Sequence, residues 1–516
     1  MKVCGKVIFI VSLSLLMSLS LILASAGAKE KTLVVGDNST LNTLDPAFMG
    51  VAQDIMNARN IYQGLVRYKR NTDELEGDLA KSWTVSKDGM VYTFKLRENI
   101  SWHKGFGKFT AHDVKYTMDR VLDPKTGAST RSEIVNDIQE VRALDDTTVE
   151  FRLRSPTPGF LHKLPGPRGT AIVSQKAVEK YGKDYARNPI GTGPFIMESW
   201  TREQVVYVGN KDFQQREGPP KIDRLIFKII PDIDTLVLAL QNGDIDLVFA
   251  MPREPAILDR VRAAGCKITY RKAPSSQNLV MNTKKKPFDD VRVRRAVSHA
   301  IDKDTILKHI MGGIGERLDS PFPQGLFGHT EKGIARYDYS LEKAKELLTQ
   351  AGYPNGFEVN LDTSSSPNHY PVCVAVADQL RKVNINAKLV LTDQATWWGK
   401  FSKGTTDFST LVISWQPAAE LTLLRFYHSS AFSPGLNICR YDKIDDLIER
   451  ARKEGNDPKR KELYSQIQKQ FMEDLPSVPL MKFFYPMAHR SHISGLSELD
   501  FLFWGDDIYS LTIGEK

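Results

Sequence analysis

Strand-like and helix-like hydrophobic patterns alternate along most of this chain, and this alternation constrains the fold more than any single motif. One example is the succession of an alternating run at Ile222–Ile230, a helical spacing at Asp232–Asn242 that ends at Gly243, and a second alternating run at Ile245–Ala250. Single hydrophobic cores stop growing at about 250–300 residues. Because the chain has 516 residues, the sequence predicts two or more α/β lobes.

The N-terminal residues have the layout of a secretory signal peptide. Two lysines precede an apolar run from Val7 to Leu23, which ends in small residues. Cleavage after Ala26 and cleavage after Ala28 both satisfy the small-x-small rule, and the sequence does not choose between them. The run approaches the ~18 residues that span a bilayer, so an uncleaved anchor is the alternative. The serines within the apolar run and the small residues that follow it favour cleavage. The sequence therefore predicts an exported, periplasmic protein.

Cysteine usage and charge limit the kinds of anchor, cross-link and binding partner that the protein can have. Cys4 precedes the apolar run instead of following the cleavage point, so there is no lipobox cysteine for a lipid anchor. The mature chain keeps Cys266, Cys373 and Cys439, whose number and spacing favour buried free thiols over a disulfide framework.

The net charge of the protein is positive. Removal of the signal peptide removes two lysines from a chain whose formal net charge is +8. Basic residues are interspersed with acids, which indicates a solvated cationic surface and argues against nucleic-acid binding.

Common catalytic and metal motifs are missing from the sequence. There is no G-x-S-x-G elbow, no H-E-x-x-H motif, no G-x-x-x-x-G-K-[ST] loop and no G-x-G-x-x-G fingerprint. The Gly191–Pro194 segment looks like a phosphate loop, but Pro194 has no N–H to offer an anion, so a rigid turn is preferred. His489 and His492 have no acid or cysteine at ligand spacing. We therefore predict no catalytic residue, no metal ligand and no cofactor, with an exported two-lobed hydrolase as the alternative.

Several sequence blocks follow one another in a characteristic order. The longest are LAKSWTVSKDGMVYTFKLR (Leu79–Arg97) and NPIGTGPFIMESW (Asn188–Trp200). The shorter blocks are TLDP (Thr43–Pro46), IYQGL (Ile61–Leu65), QNGDID (Gln241–Asp246), VRVRRAVSHAIDKDTI (Val291–Ile306), AKELLTQAGYPNGF (Ala344–Phe357) and LPSVPL (Leu475–Leu480). In this order and spacing they resemble the extracytoplasmic solute-binding proteins of ABC importers, family 5, which bind peptides, nickel and opines.

The resemblance implies a two-lobed periplasmic-binding-protein (Venus-flytrap) fold with mixed sheets and a hinge of crossover strands. The implied division is a cleaved signal peptide (residues 1–28), lobe I with an extra subdomain (residues 29–272 plus 483–516) and lobe II (residues 273–482). The chain would cross near Arg271–Ser276 and return near Leu480–Phe484. Lobes that rotate about such crossovers can be open or closed, and a ligand that touches both favours closure.

The resemblance also implies which residues face the ligand. The candidates are Phe48, Met49, Arg168, Trp398, Trp415, Gln416, Asn437, Arg440 and Tyr441. Trp415 and Gln416 end a predicted strand, where clefts of α/β proteins form. Arg168 has the donor geometry for a bidentate bond to a ligand carboxylate. For the aromatic residues the alternative is core packing, and for Arg168 it is a structural ion pair.

One departure from the family pattern concerns the ligand. Peptide binders of this family usually carry an acid about three residues after the tryptophan equivalent to Trp415, and here Ala418 occupies that position. Leu361–His369, where dipeptide binders place a carboxylate partner, contains no arginine. A ligand amine would therefore depend on Glu420. This weakens the assignment to peptides and leaves the assignment to solute binding unchanged.

The resulting functional prediction is a monomeric solute-binding component of an ABC importer. It would capture a peptide or a similar small organic solute and deliver it to permease subunits in the inner membrane. An opine, a glutathione-like compound, an oligosaccharide and a nickel chelate remain open as ligands. A periplasmic chaperone or sensor that uses the same clamp without transport is a further alternative.

Overall fold

The computed structural model describes residues 30–70, 72, 74–166, 169–272, 274–366, 368–415, 418–432, 435–496 and 508–514. The predicted signal peptide and two candidate ligand contacts, Arg168 and Gln416, lie outside these residues. Within them, no helix has the length and apolar character needed to cross a membrane.

Strands and helices alternate along the described chain. In chain order the strands are β1 (Thr32–Asp37), β2 (Val66–Tyr68), β3 (Leu75–Gly77), β4 (Ala80–Val85), β5 (Val91–Leu96), β6 (Ile138–Asp145), β7 (Thr148–Leu153), β8 (Phe195–Trp200), β9 (Gln204–Gly209), β10 (Arg224–Ile229), β11 (Leu247–Val248), β12 (Lys267–Arg271), β13 (Ser275–Met281), β14 (Gly315–Arg317), β15 (Phe357–Ser364), β16 (Ile385–Thr392), β17 (Phe408–Ser414), β18 (Ser477–Phe483), β19 (Tyr485–His489), β20 (Ile493–Ser494) and β21 (Thr512–Ile513). The α-helices are α1 (Ala52–Ala58), α2 (Ala111–Leu122), α3 (Arg131–Ile134), α4 (Gln175–Tyr181), α5 (Ile233–Asn242), α6 (Pro255–Ala263), α7 (Val291–Ala300), α8 (Lys303–His309), α9 (Leu341–Gln350), α10 (Tyr370–Arg381), α11 (Gln394–Lys403), α12 (Ala419–Phe426), α13 (Asp445–Lys453) and α14 (Asp457–Asp474).

Two large mixed sheets organise the fold. Sheet I has the order β12-β19-β11-β1-β10-β9-β8, and sheet II has the order β14-β18-β13-β17-β15-β16. In sheet I, β1 runs parallel to β10 and β11. In sheet II, β15 runs parallel to β16 and β17. A smaller antiparallel sheet, β4-β5-β7-β6, shares one continuous apolar core with sheet I. The predicted α/β class with mixed sheets is confirmed.

The chain changes from one sheet to the other at two places. It leaves sheet I when β12 ends at Arg271 and enters sheet II at Ser275. It returns between the end of β18 at Phe483 and the start of β19 at Tyr485. A separate apolar core belongs to sheet II, and its buried members all lie between Leu279 and Met481. The two crossovers therefore join two units that each have a core of their own.

Capping residues set the ends of several helices. Thr110 and Asp113 form a capping box at the start of α2. The Asp232 carboxylate accepts the N–H of Thr235 at 2.8 Å at the start of α5. That helix ends at Gly243, whose φ of 83° is the left-handed conformation that glycine tolerates. The course of α5 and its end at Gly243 are as the sequence pattern predicted.

Helix α1 ends at Ala58, and a tertiary contact holds the chain a few residues later. The N–H of Gly193 donates to the carbonyl of Ile61 at 2.8 Å. A Cβ at Gly191 would lie 2.0 Å from that carbonyl oxygen, and a Cβ at Gly193 would lie 2.6 Å from it. Two of the sequence blocks thus pack directly on each other. The glycines permit a close backbone approach in a turn.

His103 lies against the same turn and makes stability depend on pH. Its Nε2 donates to the carbonyl of Gly193 at 2.9 Å, and burial lowers its pKa from 6.5 to about 4. Between these two values the unfolded chain binds more protons than the folded one, so the folded state loses stability as pH falls. We expect the urea concentration at the unfolding midpoint of the wild type to decrease as the pH is lowered from 6.5 to 4. The variant His103→Gln should show a shallower fall, and an identical pH slope would contradict this assignment.

Candidate functional site

The carboxyl ends of the parallel strands of both sheets lie at the crossovers. Strand β12 runs antiparallel to β19, and β19 runs antiparallel to β11, so β12 points the same way as β1. In sheet II, Ser275 at the start of β13 pairs with Ser414 at the end of β17. Each crossover therefore connects the carboxyl edges of the parallel strands. Ligand clefts of α/β sheets form outside these edges.

On the sheet I side, the turn at Pro46–Phe48 is fixed by an ion pair. The Asp45 carboxylate accepts from Arg120 at 2.8 and 2.6 Å, and the Arg120 guanidinium lies 5.7 Å from the Phe48 ring centroid. The N–H of Gly169 donates to the Pro46 carbonyl at 2.9 Å. Phe48 is 41% exposed, whereas Met49 is fully buried. Of these two candidates, Phe48 is the one that presents its ring to solvent.

On the sheet II side, Trp415 is packed at the crossover. It is fully buried, its Nε1 donates to Ser276 Oγ at 2.9 Å, and its backbone N–H donates to the Pro274 carbonyl at 2.7 Å. Its ring lies 4.8 Å from that of Phe322. Trp398 is 38% exposed, and its ring contacts those of Trp397 and Phe401. Trp415 thus couples the sheet II core to the first crossover, and a direct ligand contact stays a prediction.

Asn437, Arg440 and Tyr441 hold the conformation of their own loop. The Asn437 amide donates to the carbonyls of His428 and Tyr441 at 3.0 and 2.8 Å. Tyr441 donates its hydroxyl to Asp474 at 2.7 Å, and burial raises its pKa above the ordinary value. The Arg440 guanidinium lies 5.5 Å from the Phe432 ring. These contacts give the residues structural roles, and their roles in binding stay predictions.

Contacts between the sheet I side and the sheet II side include the following pairs of described residues, of which sequence reasoning singled out only Glu420. Arg253 donates through Nη1 to Asn368 Oδ1. Asp137 Oδ1 lies 3.8 Å from Arg452 Nη1. The Glu420 carboxylate accepts from Tyr464 and packs so closely on Gly159 that an added Cβ there would lie 2.0 Å from Oε1. The two sides therefore contact each other at these positions.

Arginine and lysine side chains surround two aromatic rings at the crossovers. The guanidinium groups of Arg253 and Arg271 lie 5.1 and 5.2 Å from the Tyr485 ring centroid. The ammonium groups of Lys272 and Lys482 each lie 5.8 Å from the Phe484 ring. Burial lowers the pKa of both Arg253 and Lys482. The sequence signal for this cluster is that most of its members lie at or next to strand ends; Arg253 lies in the loop after β11.

A separate polar pocket opens on the sheet I side. It is lined by Arg59, Gln63, Arg67, Asp78, Arg216 and Tyr509, among others, and by none of the crossover residues. Asp78 accepts from Gln63 at 2.7 Å and pairs with Arg216 at 3.2 Å. In the part of the chain that the structure describes, no group of three or more His, Cys, Asp or Glu side chains is placed to hold a metal ion. The crossover region remains the better candidate site.

Comparisons with known proteins agree with this geometry. A model of the bacterial extracellular solute-binding proteins, family 5 middle region, matches residues 74–433. The glutathione-binding protein GsiB of Escherichia coli O1:K1 / APEC is 31% identical over 488 residues, which cover 92% of this chain and 93% of that protein.

Solved structures show the same fold. The periplasmic binding protein DppA from Helicobacter pylori, in complex with the peptide STSA, has a TM-score of 0.82, is 27% identical, and is matched over 94% of this chain and 98% of that one. The binding protein MoaA from A. tumefaciens R10, in complex with mannopinic acid, has a TM-score of 0.81 and 26% identity over 94% of this chain and 100% of that one.

Proposed function

The chain belongs to the bacterial extracellular solute-binding proteins of family 5, the solute-binding components of ABC importers, and from this premise we propose that it captures a peptide or peptide-like acid such as glutathione. The observation that carries this proposal is the family match together with a relative named for glutathione binding, to which this chain is 31% identical along nearly its whole length. A non-peptide acid such as an opine is the second candidate, since a structural relative was solved with mannopinic acid.

The proposed capture depends on two lobes. We place lobe I at residues 29–272 plus 483–516 and lobe II at residues 273–482, so that the two changes of sheet form the hinge. The carboxyl edges of both sheets would form the walls of the cleft, and the contacts Arg253–Asn368 and Gly159–Glu420 would form on closure. The closed shape would then be recognised by permease subunits in the inner membrane. The mature protein would act in the periplasm as a monomer without chemical change to the solute.

A ligand-dependent rise in melting temperature tests this function. We expect glutathione, the peptide Ser-Thr-Ser-Ala or an opine to stabilise the mature chain by about 2.7 kcal/mol at a concentration 100 times the dissociation constant. A thermal-shift screen of these compounds, with an oligosaccharide and Ni(L-His) added, measures the effect. No shift with any of them would contradict the proposed ligand class.

Recovery of the solute separates binding from hydrolysis. After overnight incubation with the mature chain, mass spectrometry should return the bound glutathione or peptide unchanged. Cleavage products that a heat-denatured sample does not form would instead support an exported two-lobed hydrolase.

A further inference from the structure

The guanidinium of Arg253 occupies the junction of both sheets. Its Nε donates to the Phe484 carbonyl at 3.0 Å, and its Nη1 donates to the side-chain oxygen of Asn368. The acceptors in these two hydrogen bonds are neutral oxygens, one from the second crossover and one from the loop after β15. Arg253 follows β11, at the carboxyl edge of sheet I. Its position thus combines a positive charge with contacts to both sides of the cleft.

Gln277 supplies a second group at the same junction. Its Nε2 donates to the Asn368 backbone carbonyl at 2.7 Å, which fixes the orientation of the amide with Oε1 as the remaining acceptor. The side chain is fully buried. Among the described residues, Oε1 has no hydrogen-bond partner. A buried acceptor without a donor is costly, so this oxygen points to a donor brought by a ligand.

The surroundings of the two groups favour an anion. Arg271 shares the Tyr485 ring with Arg253, and Lys272 and Lys482 lie beside the Phe484 ring. Two acids lie near these cations: Glu316 is 3.9 Å from Lys482, and Glu254 follows Arg253 in the chain and interacts electrostatically with it. Clustered cations between low-dielectric walls attract an oppositely charged group and strengthen its hydrogen bonds.

We infer that the hinge end of the cleft binds the free carboxylate of an N-acyl amino-acid terminus, with Arg253 as the specificity-determining residue. The carboxylate pairs with the Arg253 guanidinium, and the neighbouring amide N–H donates to Gln277 Oε1. A peptide C-terminus and the glycine end of glutathione both carry these two groups on one α-carbon. This inference rests on the proposed function and names the part of the solute that the site recognises.

Paired acid and amide probes test the inference. The probes are glutathione and Ser-Thr-Ser-Ala, each with a free and an amidated C-terminus, measured by calorimetry on the mature chain. We expect the wild type to bind each free acid about 10- to 100-fold more tightly than its amide, the range for hydrogen bonds to a charged group. In Arg253→Met this preference should disappear through weaker binding of the acid. The matched control Arg260→Met, which removes an exposed arginine paired with Asp234 at 2.5 Å, should keep it.

The possible outcomes separate this inference from the proposed function. Equal binding of acid and amide by the wild type overturns the inference and leaves the function intact. If Arg253→Met loses affinity for the acid and the amide probes by the same factor, the inference is also overturned, because Arg253 would then only hold the two sides together. A wild type that binds none of the four probes contradicts the proposed function as well. The second variant, Gln277→Leu, should weaken acid and amide alike, and unchanged binding would remove Gln277 from the site.

Discussion

Replacement of Gly159 by valine is expected to weaken solute binding about 100-fold while the protein stays folded. A Cβ at this position would lie 2.0 Å from Glu420 Oε1 and 3.5 Å from the Ala418 Cβ, across the contact between the two sides of the cleft. Glu420 is buried and accepts from Tyr464, so it has little room to withdraw. Overpacking of this kind costs about 1–3 kcal/mol. If closure is required for binding, the apparent affinity falls with the population of the closed state.

Calorimetry with glutathione or Ser-Thr-Ser-Ala measures this loss, and the melting temperature of the solute-free variant checks its fold. The control is Gly455→Ala, because a Cβ at Gly455 would meet no atom within 4 Å. Addition of Glu420→Ala to Gly159→Val should restore part of the affinity by removing the clashing carboxylate. Wild-type affinity in Gly159→Val would show that closure at this contact is not needed.

Replacement of Trp415 by alanine is expected to lower the free energy of unfolding by about 3–5 kcal/mol. The side chain is fully buried against Phe322, so its removal leaves a cavity. The hydrogen bond from Nε1 to Ser276 Oγ at 2.9 Å is also lost. Urea unfolding of the mature chain measures the change.

Trp415→Phe is the matched control, since it keeps most of the ring volume and loses the N–H donor. We expect it to lose about 1–2 kcal/mol, the scale of one hydrogen bond and a small packing change. If Trp415→Ala unfolds within 1 kcal/mol of the wild type, the packing assignment is wrong. If this variant with unchanged stability also loses affinity for the solute, Trp415 is a ligand contact, as the resemblance implied.

Local elements of this fold were largely predictable from the sequence. Helices with a capping residue and a terminal glycine have the predicted course, as α5 does between Asp232 and Gly243. The hairpin of β4 and β5 follows from the Asp88-Gly89 turn between alternating runs. The hydrogen bond from the Gly193 N–H to the Ile61 carbonyl, which joins residues more than a hundred positions apart, was not predictable. Such a contact depends on tertiary packing and leaves no local signal.

The composition of the site was harder to predict for the same reason. The resemblance supplied Phe48 and Trp415 as candidates by their positions along the chain, and their contact with a ligand stays a prediction. Arg253 and Asn368 lie far apart in sequence, and only the arrangement of the two sheets brings them together. The segment Leu361–His369 contains no arginine. The structure shows that Arg253, from the sheet I side, donates to Asn368 in this segment. A search for charge within one segment cannot find a partner that another element supplies.

Small-angle X-ray scattering of the mature chain, with and without saturating glutathione or whichever screened solute binds, tests the central claim most directly. If the protein is a two-lobed clamp, the saturated sample will have a smaller radius of gyration than the solute-free one, and Gly159→Val will keep the larger value. Identical scattering profiles for the free and saturated wild type would contradict capture by closure.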